Sequence, residues 1–576
     1  MSSFFKSFTE IKKNLKKDFT SLPVKKIALL GDTSTQLLVH AIKGVGFDAG
    51  INCEIFEAEY DQVDHEIYDD NSGLYASKPD YVVIFLSVQK LLRKYNTAPE
   101  VQKRTFAADT LAYIHELNGM INSRLSSKII LFNFAELNDN VFGNFANKLD
   151  FTFIYNLRKI NLGLMDMSRE IKNLFIFDLN LLQSTFGFDN SFDAKYYVTA
   201  DMVFSLDFLS VAAKNIVDMI LSLSGSSKKC LILDLDNTLW GGVIGDDGIE
   251  KIQIGELGIG KAYTELQQWT KQLKNRGIIL AVCSKNDHDT AKYPFDNHPD
   301  MVLKYEDFAI FQANWDNKAD NIKQIQEFLN IGFDSMVFLD DNPFERNLVK
   351  SFLPEVTIPD LPEDPAEYMN YLSKLNLFET SAYSEEDSGR NDQYRTEFMR
   401  SKVKKAFANE DEYLASLEMV SECKPFDDYS VPRVSQLTQR SNQFNLRTQR
   451  YTESDVQKIA ASADHITLSF TLEDKFGHNG LISLIILKKE NDCLFIDTWI
   501  MSCRVLKRTM ENFVLNKIIE SAKNNGCSKI TGEYIPTAKN KMVKDHYENF
   551  GFIRSNGLWE LDVNSYKSKK TFIKEK

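Results

Sequence analysis

Short apolar runs punctuated by polar residues recur along the whole chain, and what separates them changes character twice. Over residues 1–200 four such runs, Lys26–Ser34, Tyr81–Leu86, Lys128–Asn133 and Asn173–Leu179, alternate with stretches of helical periodicity. The runs are rich in β-branched and aromatic residues, and short strands separated by helices predict a doubly wound α/β domain. From about residue 225 to 375, Cys230–Leu233, Ile278–Val282 and Met336–Leu339 again alternate with helical patterns, and each ends in polar residues. Strands that deliver polar groups at their carboxyl ends predict an open parallel sheet with a site along that edge. After residue 406 the order differs: Leu468–Leu472, Leu481–Ile486 and Cys493–Trp499 succeed one another as antiparallel strands do, before a helix over Met510–Asn525.

At 576 residues the chain is too long for one core, and the pattern predicts three domains, over 1–200, 225–375 and 406–576. Residues 376–405 read as a linker. The acidic, proline-punctuated Pro359–Pro365 marks the exit from the middle domain, and the polar Tyr383–Asp392 leads into a basic helical stretch, Tyr394–Phe407. At the start, Lys12, Lys13, Lys16 and Lys17 fall on the polar side of an amphipathic helix expected to dock against protein.

Composition narrows the partners. The net charge of −13 is spread along the chain, which argues against nucleic acid, since binding phosphates needs a basic surface. No apolar run approaches the ~20 residues a membrane span requires, and no signal peptide is expected at the N-terminus. Seven scattered cysteines and eight histidines show neither disulfide nor zinc spacing, so a reducing, cytoplasmic setting is the expectation.

The candidate chemistry begins where the first strand of the middle domain ends, in Asp234-Leu235-Asp236-Asn237-Thr238. Strand residues two apart face the same way, so Asp234 and Asp236 are expected to address one point, one as nucleophile and metal ligand, the other as acid and base. The second strand ends in Cys283-Ser284-Lys285-Asn286; Lys318 opens the helical stretch Ala319–Leu329; the third strand ends in Asp340-Asp341. Asn237, Thr238, Lys285 and Asn286 are candidates for substrate binding. A transferring phosphoryl group is anionic, so carboxylates approach it only with a cation, and carboxylates with water are the ligands Mg²⁺ prefers.

The order DxDxT, Ser, Lys, Asp-Asp resembles the haloacid dehalogenase (HAD) superfamily of aspartate-dependent phosphotransferases. The resemblance implies that Asp234 forms an aspartyl phosphate while Asp236 protonates the leaving group and then activates water. It implies that Ser284 and Lys318 hold the phosphoryl oxygens and that Mg²⁺ sits among Asp234, Asp236, Asp340 and Asp341. Neither Leu239–Ile254 nor Asp289–Asn317 has room for a cap domain. An uncapped site is open to large or carrier-bound substrates, or is closed by neighbouring domains or partners.

Two further resemblances concern the flanking domains. Gly31-Asp32-Thr33 after the first strand resembles the Gly-Asp-Ser block of SGNH hydrolases, with threonine in place of the serine and no Asp-x-x-His, so that domain is expected to be non-catalytic. The late strand meander, the basic turn Ser502–Thr509 on a helix N-terminus and Tyr547-x-x-x-Gly551-Phe552 resemble GNAT acyltransferases. That likeness implies an anion site for coenzyme A or an acyl carrier at Arg504, Lys507 and Arg508, although Lys507 and Thr509 stand where glycine permits close backbone approach. A purely structural domain is the alternative.

With Leu239–Gly248, Arg433–Leu446 and Met501–Leu506 the chain is similar to the FkbH-like family over about residues 20–560. The amides of Asn442 and Gln443 serve equally to bind a ligand or a neighbouring backbone. The resemblance implies loading of a glyceryl unit from 1,3-bisphosphoglycerate onto an acyl carrier protein, with Cys283 as the thioester carrier; a thiolate beside Lys285 would have a lowered pKa. The alternative for Cys283 is a small apolar residue ending a buried strand. The expected fold class is therefore α/β with three domains: SGNH/flavodoxin-like, uncapped HAD and GNAT-like α+β. The leading function is a Mg²⁺-dependent phosphatase or phosphotransferase acting on a phosphorylated small molecule. A GNAT-type acyltransferase that uses the HAD part as recogniser, and a docking scaffold, are the competing readings.

Overall fold

In the computed structural model, which describes residues 6–137, 139–383, 389–404, 407, 409–441, 443–502, 505–537, 539–555 and 557–576, the chain forms two units, Met1–Ile220 and Leu221–Lys576. Five parallel strands make the sheet of the first unit: β1 (Val24–Gly31), β2 (Asn52–Glu57), β3 (Tyr81–Phe85), β4 (Lys128–Phe132) and β5 (Leu174–Phe177), in the order β2-β1-β3-β4-β5. Four of these are the predicted apolar runs. The fifth, β2, carries no such run because it is an edge strand in which only Cys53 is buried. The carboxyl edge holds Asp32, whose carboxylate accepts the Ser87 N–H at 2.9 and 3.0 Å. Burial pushes its pKa up to about 6. Among the described residues the buried Thr33 hydroxyl has no hydrogen-bond partner.

The N-terminal segment docks on its own unit. Helix Phe8–Lys13 is closed at its start by a capping box between Ser7 and Glu10, and it buries Phe8 and Ile11. Ile11 lies so close to Gly44 that a Cβ on that glycine would sit 2.3 Å from its Cγ2. The Asn14 amide donates to the Gly44 carbonyl at 2.9 Å.

In the second unit, β6 (Cys230–Leu233), β7 (Ile279–Ser284), β8 (Ile310–Ala313) and β9 (Met336–Leu339) form a parallel sheet in the order β8-β7-β6-β9. Both β6 and β9 are buried along their whole length, which is why they read as unbroken apolar runs. Residues 241–253 after the first motif form only a small flap, closed by paired backbone bonds between Gly241 and Gln253.

The remaining strands build one large sheet. They are β10 (Val420–Ser421), β11 (Cys423–Lys424), β12 (His465–Asp474), β13 (Gly477–Glu490), β14 (Cys493–Met501), β15 (Lys529–Gly532), β16 (Ile553–Ser555), β17 (Leu558–Asp562) and β18 (Lys574–Glu575). The order is β16-β17-β15-β14-β13-β12-β10-β18, with β11 beside β12. The predicted strands β12, β13 and β14 are antiparallel, whereas β14 and β15 run parallel from Cys493 to Ile496. Beyond that point Phe444–Leu446 lies alongside β14: the Met501 N–H donates to Phe444 at 3.2 Å, and Ile535 N–H donates to Leu446 at 2.9 Å.

The expected linker over 376–405 is not a solvated tether. Helix Arg390–Lys404 packs onto the parallel sheet, with Tyr394 in its hydrophobic core. Buried Asn391 accepts the Leu280 N–H at 3.2 Å and donates to the Asp307 carbonyl at 2.5 Å. Farther along, Arg400 pairs with Asp474 of β12 at 2.8 Å and is itself buried. A polar composition hid this role because the contacts are few and buried. Residues 384–388 of that stretch lie outside the described residues.

Candidate active site

The ends of β6 and β9 are neighbours, and the Asp234 N–H donates to Leu339 at 3.0 Å, which fixes Asp234 beside Asp340 and Asp341. One carboxylate oxygen from each of these three residues lies within 4.8 Å of the others. Lys318 enters from the first turn of helix Lys318–Leu329, whose start is capped by Asn317 accepting the Ala319 N–H at 2.8 Å. Its Nζ lies 2.8 Å from Asp234 Oδ2 and 2.6 Å from Asp340 Oδ2. Asp234 Oδ1 is buried with no hydrogen-bond partner.

Three carboxylates face one ammonium, and the proton equilibria reflect this. Burial opposes the Lys318 charge, but Asp234 and Asp340 outweigh it and raise its pKa. Burial raises Asp340 and, less strongly, the Asp234 charge does the same; Lys318 and the Asn342 N–H pull it back. Asp341 is raised by burial and then by Asp234. With all three carboxylates ionised, one ammonium leaves two negative charges in excess in a buried site, which is the condition a divalent cation relieves. The donor set is all oxygen, and Asp234 keeps one buried oxygen, Oδ1, without a hydrogen-bond partner among the described residues, so these residues fit Mg²⁺.

Asp236 departs from the expectation that it shares the metal. Strand β6 ends at Leu233, so the two-residue alternation does not continue to Asp236, and the chain turns through Asn237 with φ at 52°. The Asp236 carboxylate accepts Trp240 Nε1 at 2.9 Å, the Ile244 N–H at 3.0 Å and Asn286 Nδ2 at 2.8 Å, outside the three-carboxylate group. Burial raises its pKa, and the three donors partly offset this.

The four substrate-binding candidates serve the frame of the site. Asn237 Oδ1 accepts the Gly242 N–H at 2.9 Å and closes the flap. Thr238 is fully buried and accepts the Asp341 N–H at 3.2 Å. Lys285 pairs with Glu345 at 2.6 Å, and Asn286 holds Asp236. Ser284 is buried at the end of β7, where its carbonyl accepts the Asn314 N–H at 3.2 Å.

Cys283 corrects the expectation of an activated thiol. It lies within β7, buried in the hydrophobic core, and burial pushes its thiol up rather than down. Its Sγ lies 3.7 Å from the Lys318 carbonyl, whereas the Lys285 ammonium, beyond the end of β7, is paired with Glu345 at 2.6 Å.

The anion site expected at Arg504, Lys507 and Arg508 is also altered. Arg504 lies outside the described residues. Arg508 is buried and pairs with Asp474 at 3.3 Å and with Glu397. Lys507 and Thr509 both adopt φ of 62°, the left-handed backbone that favours glycine. The Lys507 N–H donates to Glu511 at 3.2 Å, placing a carboxylate where an incoming phosphate would meet the backbone.

Some supporting residues escaped the sequence reading. Arg346 Nη1 donates to the carbonyls of Asp340 and Asp341 at 2.8 and 2.6 Å. It lies one helical turn past the acidic pair, close enough for spacing to have suggested it. Tyr368 donates to the Asn237 carbonyl at 3.2 Å across 131 positions, a contact no local pattern reveals.

Residues 26–221 match the family described as FkbH, N-terminal domain. The solved N-terminal part of the protein BF1531 from Bacteroides fragilis, described as containing a phosphatase domain complexed with Mg, is 50% identical to this chain. The match covers 66% of this chain and 100% of that one, with a TM-score of 0.64. The ribosomal-protein-S18-alanine N-acetyltransferase from Escherichia coli is 13% identical over 26% of this chain and 99% of its own, with a TM-score of 0.20. The spermidine/spermine N-acetyltransferase SpeG from Vibrio cholerae is 14% identical over 25% and 95%, also with a TM-score of 0.20. No curated protein matches the chain.

Proposed function

Because this chain belongs to one family with BF1531 of Bacteroides fragilis, we propose that it is a Mg²⁺-dependent phosphatase or phosphotransferase of the HAD superfamily that works through an aspartyl phosphate on Asp234. The observation that carries this reading is the buried, unpartnered Asp234 Oδ1 beside Asp340 and Asp341, with Lys318 on the other oxygen. Asp234, Asp340 and Asp341 would hold the metal. When bound, Mg²⁺ supplies charge neutralisation for the incoming phosphoryl group.

The residues of the chain do the rest. An Asp234 carboxylate oxygen bonds to phosphorus as the bond to the leaving oxygen breaks, and Asp236 gives that oxygen its proton. Burial favours the protonated form of Asp236, and Asn286, Trp240 and the Ile244 N–H fix its orientation. Water then attacks phosphorus, Asp236 takes the water's proton, and the Asp234 carboxylate is released with inorganic phosphate. Lys318 holds Asp234 and Asp340 in place throughout and offsets their repulsion. The absence of a large insertion around the first two motifs supports a bulky or carrier-bound phosphorylated substrate.

Glyceryl transfer to an acyl carrier protein rests on family resemblance, and the burial of Cys283 supports no thioester at that residue. The commitment of Arg508 to Asp474 and Glu397 likewise weighs against an acyltransferase site at the turn before Met510. A GNAT-like role of the last domain is therefore subordinate to the phosphatase reading. Release of inorganic phosphate from a panel of phosphomonoesters and acyl phosphates, with and without Mg²⁺, tests it. Undiminished release by Asp234→Asn would overturn it.

A further inference from the structure

A cavity of about 480 Å³ lies on the far side of the catalytic sheet, at the amino ends of its strands. Its walls include Lys229 just before β6, Ile278 and Ile279 at the start of β7, and Ser335 just before β9. All four strands are parallel, so this edge is opposite the one carrying Asp234, Asp340 and Asp341, and none of those residues lines the cavity.

The other wall comes from the last domain. Arg433, Gln436, Ser441, Gln443 and Phe444 face the cavity together with Met501 and Ser502 at the end of β14. These belong to two sequence blocks that the phosphatase chemistry does not use. Asn442 of the first block lies outside the described residues.

The charge of the lining is inverted relative to the chain. Lys228, Lys229, Arg276, Arg390, Arg433 and Lys539 stand against the carboxylates of Asp334, Glu355 and Glu379, an excess of three positive charges in a protein whose net charge is −13. Lys539 pairs with Asp334; Lys228, Arg276 and Arg390 donate to the carbonyls of Asp334, Phe378 and Gly277, and Arg433 donates to Gln436. Partly enclosed surroundings screen such a cluster less than open surface does, so it attracts a multiply charged anion. Amide and hydroxyl groups of Gln436, Gln443, Ser441 and Ser502 add hydrogen-bonding capacity, while Phe444, Met501 and Phe333 supply apolar contact. A pocket of this size with a few converging polar groups has the make-up of a small-molecule site.

We propose that this cavity is a second ligand site, distinct from the phosphatase centre, for a small molecule bearing a phosphate or diphosphate group. The phosphate would lie on the side of the cavity where these cations outnumber the carboxylates, sharing their donors with the contacts they already make, and the remainder of the molecule against the amides and apolar residues of the last domain. The site joins the catalytic domain to the last domain, so its occupant would stabilise their mutual contact. This inference does not depend on turnover at Asp234.

The test is calorimetric titration of the full chain with inorganic pyrophosphate in EDTA and low salt, conditions that leave the phosphatase centre without its metal. Saturable binding is expected, weakened about tenfold or more in a Lys228→Gln, Arg433→Gln double variant and unchanged in Asp341→Asn. Equal binding by the double variant, or loss in Asp341→Asn alone, would overturn the proposal. Succinate binding as tightly as pyrophosphate would overturn its phosphate character. If the double variant does not fold, Ser441→Trp fills the cavity while keeping every cation; lost binding then supports the site, and unaltered binding removes it.

Discussion

Nζ of Lys318 lies 2.8 Å from Oδ2 of Asp234, in a site where the lysine side chain is almost wholly buried. A second carboxylate, Asp340, shares the same ammonium, so one cation balances two anions with Asp341 close by. Removing the ammonium leaves buried like charges facing one another, which is more costly than the loss of a single bond.

Lys318→Met should therefore lower stability by about 3–5 kcal/mol in EDTA. Added Mg²⁺ should recover part of that loss, because it replaces the missing positive charge, whereas phosphate release should stay at least about 100-fold down. Thermal unfolding with and without Mg²⁺ reads the first effect and steady-state assays the second. Stability unchanged by the substitution would contradict the charge balance described.

Mg²⁺ itself should raise the melting temperature of the wild-type chain in proportion to the logarithm of its concentration above Kd. In Asp341→Asn that shift should shrink markedly. An equal shift in wild type and variant would place the cation elsewhere.

Asp236→Asn separates the two chemical steps. With an activated aryl phosphate, whose leaving group needs no proton, attack by Asp234 should persist while water activation fails. Intact-protein mass spectrometry should then show a phosphoryl adduct that is absent from Asp234→Asn. Phosphate release by Asp236→Asn at the wild-type rate would refute the assignment.

His546 is buried among the rings of Phe444, Trp499 and Phe550, and burial pushes its pKa down to about 3. Below pH 6.5 the unfolded chain binds a proton there that the folded chain does not, so stability is lost as pH falls from 6.5 towards 3. By pH 4.5 this group alone accounts for about 2–3 kcal/mol. His546→Phe should lose less stability than wild type between those pH values, as measured by urea unfolding at each. Identical losses would show that the imidazole does not titrate in this way.

Asn391 ties the helix Arg390–Lys404 to the parallel sheet through Leu280 and Asp307. Asn391→Ala leaves two buried backbone groups without partners and should cost about 2–4 kcal/mol. A loss under 0.5 kcal/mol, roughly the level of an ordinary surface substitution, would mean that the helix is not anchored there. Hydrogen exchange at Leu280 gives a local reading of the same event.

Much of the catalytic edge was legible in the sequence because strands are short and their ends are local. Asp234, Lys318, Asp340 and Asp341 each stand at the end of a strand or the start of a helix, and their order along the chain carries the proposed chemistry. The polar edge strand Asn52–Glu57 was not legible, because it lacks an apolar run. Nor was the anchoring role of residues 390–404, whose buried bonds involve a handful of polar side chains.

By itself the sequence determined the element types, the parallel character of the first two sheets, the antiparallel core of the last and the four motif residues. Those features follow from periodicity and from what lies at the ends of apolar runs. Only the tertiary structure decided where each side chain spends its polar groups. It turned Asp236 away from the carboxylate cluster once the strand ended, sealed Cys283 within the buried strand β7, and bound Arg508 to Asp474 and Glu397. It also brought Lys228 and Arg433 to one cavity from positions about 200 residues apart. Burial and partner choice are properties of the packed whole, and a linear pattern records neither.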